Sequence, residues 1–180
     1  MQNVFLVIMI LGLYIIFIMT SKDKSLNDFE IYIKNILRKK KAGGALTDFE
    51  VILQALDNYK IDRIVQNERE FESIIFTYLK AKFPDFDIQF QYRISSGRSI
   101  DIVINDEIAL ELKIGENKGN LDDGFSKIAW YKEKGGFNQL AIVILDVGMI
   151  NPRDLDEYEE MFSEKGAKVV FMKGDISRPR

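Results

Sequence analysis

Residues 99–115 read SIDIVINDEIALELKIG, and aliphatic side chains alternate with other residues through most of this stretch. The alternation is broken only at residues 105–107, which is the pattern of two half-buried strands joined by a tight turn. With a three-residue loop at 105–107, Asp101 on the first strand lies opposite Glu111 on the second. The stretch therefore predicts an antiparallel hairpin with two carboxylates facing each other.

The two faces of this hairpin have different chemistry. Because a strand has a side-chain period of two, one face is expected to carry only aliphatic core residues: Ile100, Ile102, Ile104, Ile108, Leu110, Leu112 and Ile114. The other face carries Asp101, Glu111 and Lys113. Two like charges opposite each other destabilise a sheet, and a bound cation removes that penalty. We therefore predict that a cation lies between the two carboxylates.

The composition excludes several kinds of site. The 180 residues suit one domain plus an appendage, and they include no Cys and no His. Disulfides, thiolate or imidazole metal sites and His-based acid–base catalysis are therefore excluded. The remaining oxygen ligands suit hard ions such as Mg²⁺ or Mn²⁺. A formal net charge of −3 means that phosphate binding would need locally placed cations.

The first twenty residues, MQNVFLVIMILGLYIIFIMT, contain no charged side chain. A helix of about 17–20 apolar residues spans the core of a bilayer. No basic residue precedes the apolar core and residues 17–19 are a poor cleavage site, so an uncleaved anchor is favoured over a signal peptide. We expect residues 1–20 to be a single transmembrane anchor, with about 3–20 in the lipid bilayer. The basic residues that follow place the N-terminus outside and the C-terminal domain in the cytoplasm.

Residues 21–60 are expected to form a juxtamembrane helical connector. A first helical pattern ends at Gly43-Gly44, and a second opens at residues 47–50 with the spacing of a capping box. The basic run at residues 38–41 is either a solvated helix end or a segment attracted to anionic lipid head groups.

Residues 61–180 have the pattern of an α/β domain. Helical and strand periodicities alternate along it, with helices at 67–83, 121–135 and 151–166 and strands at 87–94, in the hairpin, and at 139–146 and 167–172. The order α-β-β-β-α-β-α-β predicts a mixed β-sheet flanked by helices. In the first strand the apolar residues are expected on one side and the polar ones on the other: Ile88, Phe90, Tyr92 and Ile94 against Gln89, Gln91 and Arg93.

The hairpin residues carry a resemblance to a known family. Asp101 on one strand, followed by Glu111-Leu112-Lys113 on the next, resembles the D…(D/E)-x-K signature of the PD-(D/E)xK nuclease superfamily. This superfamily includes restriction endonucleases and archaeal Holliday-junction resolvases, and the resemblance covers roughly residues 64–172. It implies a restriction-endonuclease-like fold and Mg²⁺- or Mn²⁺-dependent hydrolysis of DNA.

The resemblance also implies roles for single residues. Asp101 and Glu111, with the Leu112 carbonyl, would hold the metal ion. Lys113 would orient the attacking water or stabilise the charge that develops on the phosphate.

Members of this family often add an acidic residue from the preceding helix. Glu72 lies inside the apolar arc of that helix, which is formed by Phe71, Ile74, Ile75, Tyr78, Leu79 and Phe83. A carboxylate on a core-facing stripe is costly unless it is paired or binds metal, so Glu72 is our choice as the fourth catalytic residue. Glu68, one turn earlier, stays open as the alternative.

Three further residues are expected to bind substrate. Many relatives carry a Gln and a Tyr one turn apart on the helix after the hairpin, and this chain has Lys127 and Tyr131 at that spacing. Helix packing explains Tyr131 almost as well, and the Gln is replaced by Lys. Gln91, on the polar face of the first strand, is the third. The glycine-containing segment 115–124, with Lys118, is either a rim near nucleic acid or a solvated loop.

These observations favour a membrane-anchored, metal-dependent endodeoxyribonuclease. The alternatives are a catalytically inactive nuclease-like domain that binds nucleic acid or a protein partner, and a membrane-tethered scaffold. The expected partners are DNA and, through residues 3–20, a lipid bilayer, while a homodimer is left open.

Overall fold

The computed structural model describes residues 46–94 and 97–177, in a compact unit that begins at Asp48. The expected anchor at residues 1–20 and most of the expected connector lie outside these residues. Within the described ranges, no helix has the length and apolar character needed to cross a membrane.

The described elements are four α-helices, a π-helical turn and five strands. In chain order they are α1 Asp48–Asp57, α2 Glu68–Lys82, β1 Ile88–Arg93, β2 Ser99–Ile104, β3 Ile108–Ile114, α3 Lys118–Trp130, the π turn Tyr131–Gly135, β4 Gln139–Asp146, α4 Pro152–Glu164 and β5 Ala167–Lys173. The strands form one mixed sheet in the order β1-β2-β3-β4-β5. β1, β2 and β3 are antiparallel neighbours, and β3, β4 and β5 run parallel. The predicted mixed α/β sheet flanked by helices is confirmed.

Helices α2, α3 and α4 each begin at an asparagine whose side chain accepts a backbone N–H of the first turn. These caps are Asn67, Asn117 and Asn151. Because Asn117 caps α3, the helix begins at Lys118, three residues before the predicted start at 121. Residues 118–120 of the segment 115–124, for which a rim near nucleic acid and a solvated loop were both open, are therefore helical, and Lys118 pairs with Asp154 at 2.9 Å.

The hairpin has the predicted register. Ile102 lies opposite Leu110 and Ile104 opposite Ile108, which leaves residues 105–107 as the loop. If this register is extended by one residue beyond the pair of Ile102 and Leu110, Asp101 lies across from Glu111.

Helices cover both faces of the sheet, in agreement with the continuous apolar run of β4. One core cluster includes buried residues of α1 and α2, and the other includes those of α3, the π turn and α4. In α1, Ile52 and Leu56 are fully buried, and the helix packs against β5. Residues 48–57 therefore belong to the folded unit, whereas we had assigned them to the connector 21–60. An amphipathic pattern shows that a helix has a partner surface but not where that surface lies.

β1 does not keep one apolar face, which corrects our prediction. Phe90 packs against the first cluster, whereas Tyr92 and Ile94 pack against the second. Between them, Gln91 has φ = 52°, in the left-handed region that non-glycine residues rarely adopt. This backbone conformation breaks the alternation of the strand.

In β2 the side chains also switch from one face of the sheet to the other, directly opposite the switch in β1. Ile102 and Ile104 lie in the first cluster, but Ile100 lies in the second, so the expected all-aliphatic face does not include Ile100. Phe90 pairs with Ile102 and Tyr92 with Ile100, so the change of face falls next to Asp101.

The segment between α1 and α2 pairs with the residues that follow β5. Ile176 forms a parallel bridge with Val65. The Val65 N–H donates to the Asp175 carbonyl at 2.9 Å, and the Ser177 N–H donates to the Val65 carbonyl at 2.8 Å.

Candidate active site

Four charged side chains are buried within the described residues, and all four were predicted as catalytic. They are Glu72 (7% exposed), Asp101 (3%), Glu111 (0%) and Lys113 (3%). Burial of a charge is costly unless the charge is paired, so this concentration of buried charges needs a local explanation.

Asp101 lies where β2 separates from β3. The described ladder between these strands ends at the pair of Ile102 and Leu110. The Leu112 N–H then donates to Asp101 Oδ2 at 2.8 Å. Because the N–H and C=O of one extended residue point to the same side, the Leu112 carbonyl faces the same gap. The gap thus collects a carboxylate and a backbone carbonyl.

Glu111 is the most buried member of the site. Its Oε2 accepts a hydrogen bond from the Tyr131 hydroxyl at 2.5 Å, and its Oε1 accepts one from Lys127 Nζ at 2.8 Å. Lys113 Nζ lies 3.1 Å from Oε1. Burial, followed by the charge of Asp101, raises the pKa of Glu111 to about 7, although the two ammonium groups act in the opposite direction. Burial also raises the pKa of Asp101.

Lys113 is held by carboxylates from three elements. Its Nζ lies 2.6 Å from Glu68 of α2 and 3.2 Å from Asp123 of α3, in addition to its contact with Glu111. Burial acts to lower the pKa of Lys113, but the charge of Glu111 and the hydrogen bond to Glu68 outweigh it and raise that pKa. The ammonium group therefore stays charged inside the site.

Both candidate carboxylates of α2 take part. Glu72 is buried and accepts a hydrogen bond from Gln91 Nε2 at 2.5 Å, and burial raises the pKa of Glu72. Glu68 instead binds Lys113. The structure therefore assigns different contacts to the two residues, and Gln91 contacts Glu72.

Tyr131 and Lys127 reach Glu111 because α3 lies close to the sheet. Gly124 makes this approach feasible, since a Cβ atom there would lie 2.8 Å from Ile142 Cδ1 and 3.2 Å from Lys113 Cγ. The Tyr131 hydroxyl is also 3.2 Å from the Ser99 carbonyl oxygen.

The donor set of the gap fits a hard divalent cation. The carboxylates of Asp101 and Glu111 and the Leu112 carbonyl are oxygen ligands of the kind that Mg²⁺ prefers, with water completing the shell. No three acidic side chains of the described ranges are already grouped around one point as metal ligands. Ammonium groups neutralise Glu111 here, and the Lys127 side chain is 28% exposed, so it has room to move away from a cation.

Two clefts open beside the buried charges. The first, about 360 Å³, is lined by Arg69, Arg93 and Ser99 together with Glu72 and Gln91. The second, about 440 Å³, is also lined by Ser99. Its other lining residues are Gly97, Arg98, Asp123, Ser126, Lys127 and Tyr131.

The structure brings every predicted site residue into this one region. They are Glu72, Gln91, Asp101, Glu111, Leu112, Lys113, Lys127 and Tyr131. Sequence reasoning missed Asp123, although its i,i+4 spacing to Lys127, at 4.0 Å in the structure, was visible. It also missed the arginines that line the clefts.

The chain matches no protein-family model, and no curated protein matches it in sequence.

Proposed function

We propose that the folded unit is a Mg²⁺-dependent endodeoxyribonuclease with a restriction-endonuclease-like fold, tethered to a membrane by residues 1–20. One observation carries this proposal: all the buried charges of the described residues meet where β2 and β3 separate. A site that only held the fold together would not need them. Apolar residues of similar volume often match or exceed the stability of a buried ion pair, by about 1–4 kcal/mol.

The proposed ligands of the metal ion are the carboxylates of Asp101 and Glu111 and the carbonyl of Leu112. A bound Mg²⁺ would polarise the phosphodiester and lower the pKa of a water molecule. Asp101 already uses one oxygen to accept the Leu112 N–H, which fixes the direction of its carboxylate. The Tyr131 hydroxyl fixes Glu111 in the same way.

Two lysines have separate roles in this proposal. Lys113 is buried, charged and held from three sides, so it would stabilise negative charge at one fixed point near the phosphate. Lys127 is partly exposed, and once a cation neutralises Glu111 its ammonium group is free to pair with a phosphate.

A specific observation favours a second candidate, an inactive nuclease-like domain that binds nucleic acid or a protein without cutting. No buried side-chain nitrogen or oxygen in the described part of the chain lacks a hydrogen-bond partner. The hydrogen-bonding capacity of the buried groups is therefore satisfied without a ligand, as in a structural network.

A cleavage assay with the full chain on single-stranded, duplex and branched DNA, with Mg²⁺ or with EDTA, separates the two candidates. Asp101→Asn keeps an oxygen that accepts the Leu112 N–H but removes the charge, so we expect loss of cleavage without loss of the fold. The matched control is Asp106→Asn in the exposed hairpin loop, where asparagine tolerates the positive φ of that position, and this variant should cut like the parent.

Lys113→Met is expected to keep the increase in melting temperature that Mg²⁺ produces in the parent. Cleavage should fall by roughly 10²–10³-fold, the usual effect of removing one group that stabilises transition-state charge. A parent chain that neither cuts DNA nor gains thermal stability with Mg²⁺ would establish the inactive alternative.

A further inference from the structure

Three arginines lie around the site although the chain as a whole is acidic. Arg69 and Arg93 line the first cleft and Arg98 lines the second. All three are exposed. Within residues 46–94 and 97–177, none of them is paired with a carboxylate, and Arg98 lies 5.4 Å from the centroid of the Trp130 ring. Their guanidinium groups are available to an external anion.

The two clefts reach the buried charges from different sides. The first contains Gln91 and the carboxylate of Glu72. The second contains Lys127 and Tyr131, the two side chains that hold Glu111. Ser99 lines both clefts, so the two clefts adjoin at the start of β2.

We propose that one nucleic-acid strand crosses the site between these clefts, with phosphates on one side bound by Arg69 and Arg93 and phosphates on the other side bound by Arg98. This inference rests on the proposed function and deepens it, because it assigns three substrate-binding residues and the course of the strand.

The chemistry of the arginines supports this assignment. A guanidinium group presents a planar set of donors that matches a phosphate in two-point contact. The Trp130 ring lies within reach of a cation–π interaction with the Arg98 guanidinium group. With a formal net charge of −3, the chain as a whole does not attract a polyanion. The three unpaired arginines are therefore the groups that would allow a phosphate strand to approach the acidic site.

The test is the salt dependence of binding. The full chain is titrated with a labelled single-stranded oligonucleotide in EDTA, which prevents metal-dependent cleavage, at several salt concentrations. Each phosphate contact to a single strand contributes about 0.7 to the slope of log affinity against log salt. Arg69→Gln, Arg93→Gln and Arg98→Gln should each reduce the slope by about this amount and weaken binding several-fold. In the triple variant the slope should fall by the sum of the three single reductions.

Arg63→Gln and Arg153→Gln remove the same charge outside the clefts and should bind like the parent. The inference would be overturned if the three cleft variants had the same salt slopes as these two controls. It would also be overturned if only the variants of one cleft had a reduced slope. Loss of binding to anionic phospholipid vesicles, with oligonucleotide binding unchanged, would identify a membrane surface as the ligand and overturn it as well.

The same proteins, assayed for cleavage with Mg²⁺, separate this inference from the proposed function. Cleavage by the parent, with unchanged salt slopes in the cleft variants, overturns the strand path and leaves the nuclease standing. Arginine-dependent binding without any cleavage supports the strand path and overturns the nuclease.

Discussion

Among single residues, Gln91 combines an unfavourable backbone with a contact to the site. Its φ of 52° costs a non-glycine residue roughly 1–2 kcal/mol. The same conformation accompanies the hydrogen bond from its amide to Glu72. Such strain persists only where the surrounding structure holds it, and it is commonest at functional sites. We therefore regard Gln91 as a positioning residue for Glu72, and its predicted contact with substrate stays untested.

Gln91→Gly and Gln91→Asn test this role. Glycine adopts a positive φ without penalty and asparagine adopts it readily, but neither side chain can reach Glu72 as glutamine does. Both variants should keep the free energy of unfolding within about 1 kcal/mol of the parent, since relief of strain offsets the lost hydrogen bond. Half-maximal cleavage should nevertheless need more Mg²⁺.

Gln89→Asn is the control, because Gln89 contacts Asp87 and Asp106 and not the site. An unchanged Mg²⁺ requirement in both Gln91 variants would show that Glu72 does not depend on this contact.

Single residues also show what the sequence could and could not predict. Asp101, Glu111 and Lys113 were visible because charged residues interrupt a strand-like apolar pattern, and such interruptions are costly. The left-handed backbone of Gln91 was not visible, since nothing in the identity of a glutamine indicates φ > 0. This torsion accompanies the change of face in β1, so the predicted face was wrong for Tyr92 and Ile94, and β2 changes face beside it at Ile100.

Among the elements, α3 determines how closely Lys127 and Tyr131 approach Glu111. The contact surface of this helix on the sheet includes Gly124, where an added methyl group would meet Ile142 Cδ1 at 2.8 Å. We expect Gly124→Ala to destabilise the fold by about 1–2 kcal/mol, because the overpacking exceeds the gain in helix propensity of about 1 kcal/mol. Cleavage should fall as Lys127 of α3 and Tyr131, the first residue of the π turn that follows, are displaced.

Ile142→Val removes the atom that clashes and gives an internal control. Ile142→Val alone should lower the free energy of unfolding by about 0.5–1.5 kcal/mol. Combined with Gly124→Ala, the loss should be smaller than the sum of the two single losses, as measured by denaturant unfolding in a double-mutant cycle. Strict additivity would contradict the proposed close contact.

Elements were predicted best where a local signal defines both ends. The hairpin, β4 and α4 follow from alternation, a continuous apolar run, and Pro152 with Gly166 at the two ends of a helix. The start of α3 was missed because Asn117 acts as a cap within a segment that reads as a loop. The place of α1 on the sheet was missed because it depends on β5, more than a hundred residues later in the chain.

For the molecule as a whole, the buried carboxylates should make stability depend on pH. The pKa of Glu111 is raised to about 7 in the folded state from an ordinary value of 4.5. The folded state therefore holds this proton more tightly than the unfolded state does. The resulting stability is fully present below about pH 4.5 and is lost as pH rises through about 7, by roughly 3 kcal/mol.

Without metal, the free energy of unfolding should thus decrease from pH 4.5 to about 7. The stabilisation by Mg²⁺ should grow over the same range, because the ion binds the ionised carboxylate. Urea unfolding across this range measures both trends. Glu111→Gln should remove most of this pH dependence and the Mg²⁺ effect, whereas Glu107→Gln in the exposed hairpin loop should change neither. A Glu111→Gln variant with the parent's pH profile would refute the role of this carboxylate.

The bridge between Val65 and Ile176 has a consequence for the order in which the chain folds during synthesis. The hairpin 99–114 contains its own pairing partners and can form as soon as it leaves the ribosome. Val65 pairs with residues 175–177 and α1 packs against β5, so these early segments of the unit complete their contacts only after β5 and the residues beyond it have been synthesised. Until β5 has been synthesised, the aliphatic side chains of α1 lack part of their partner surface, so the nascent domain passes through a stage at which chaperones can recognise it.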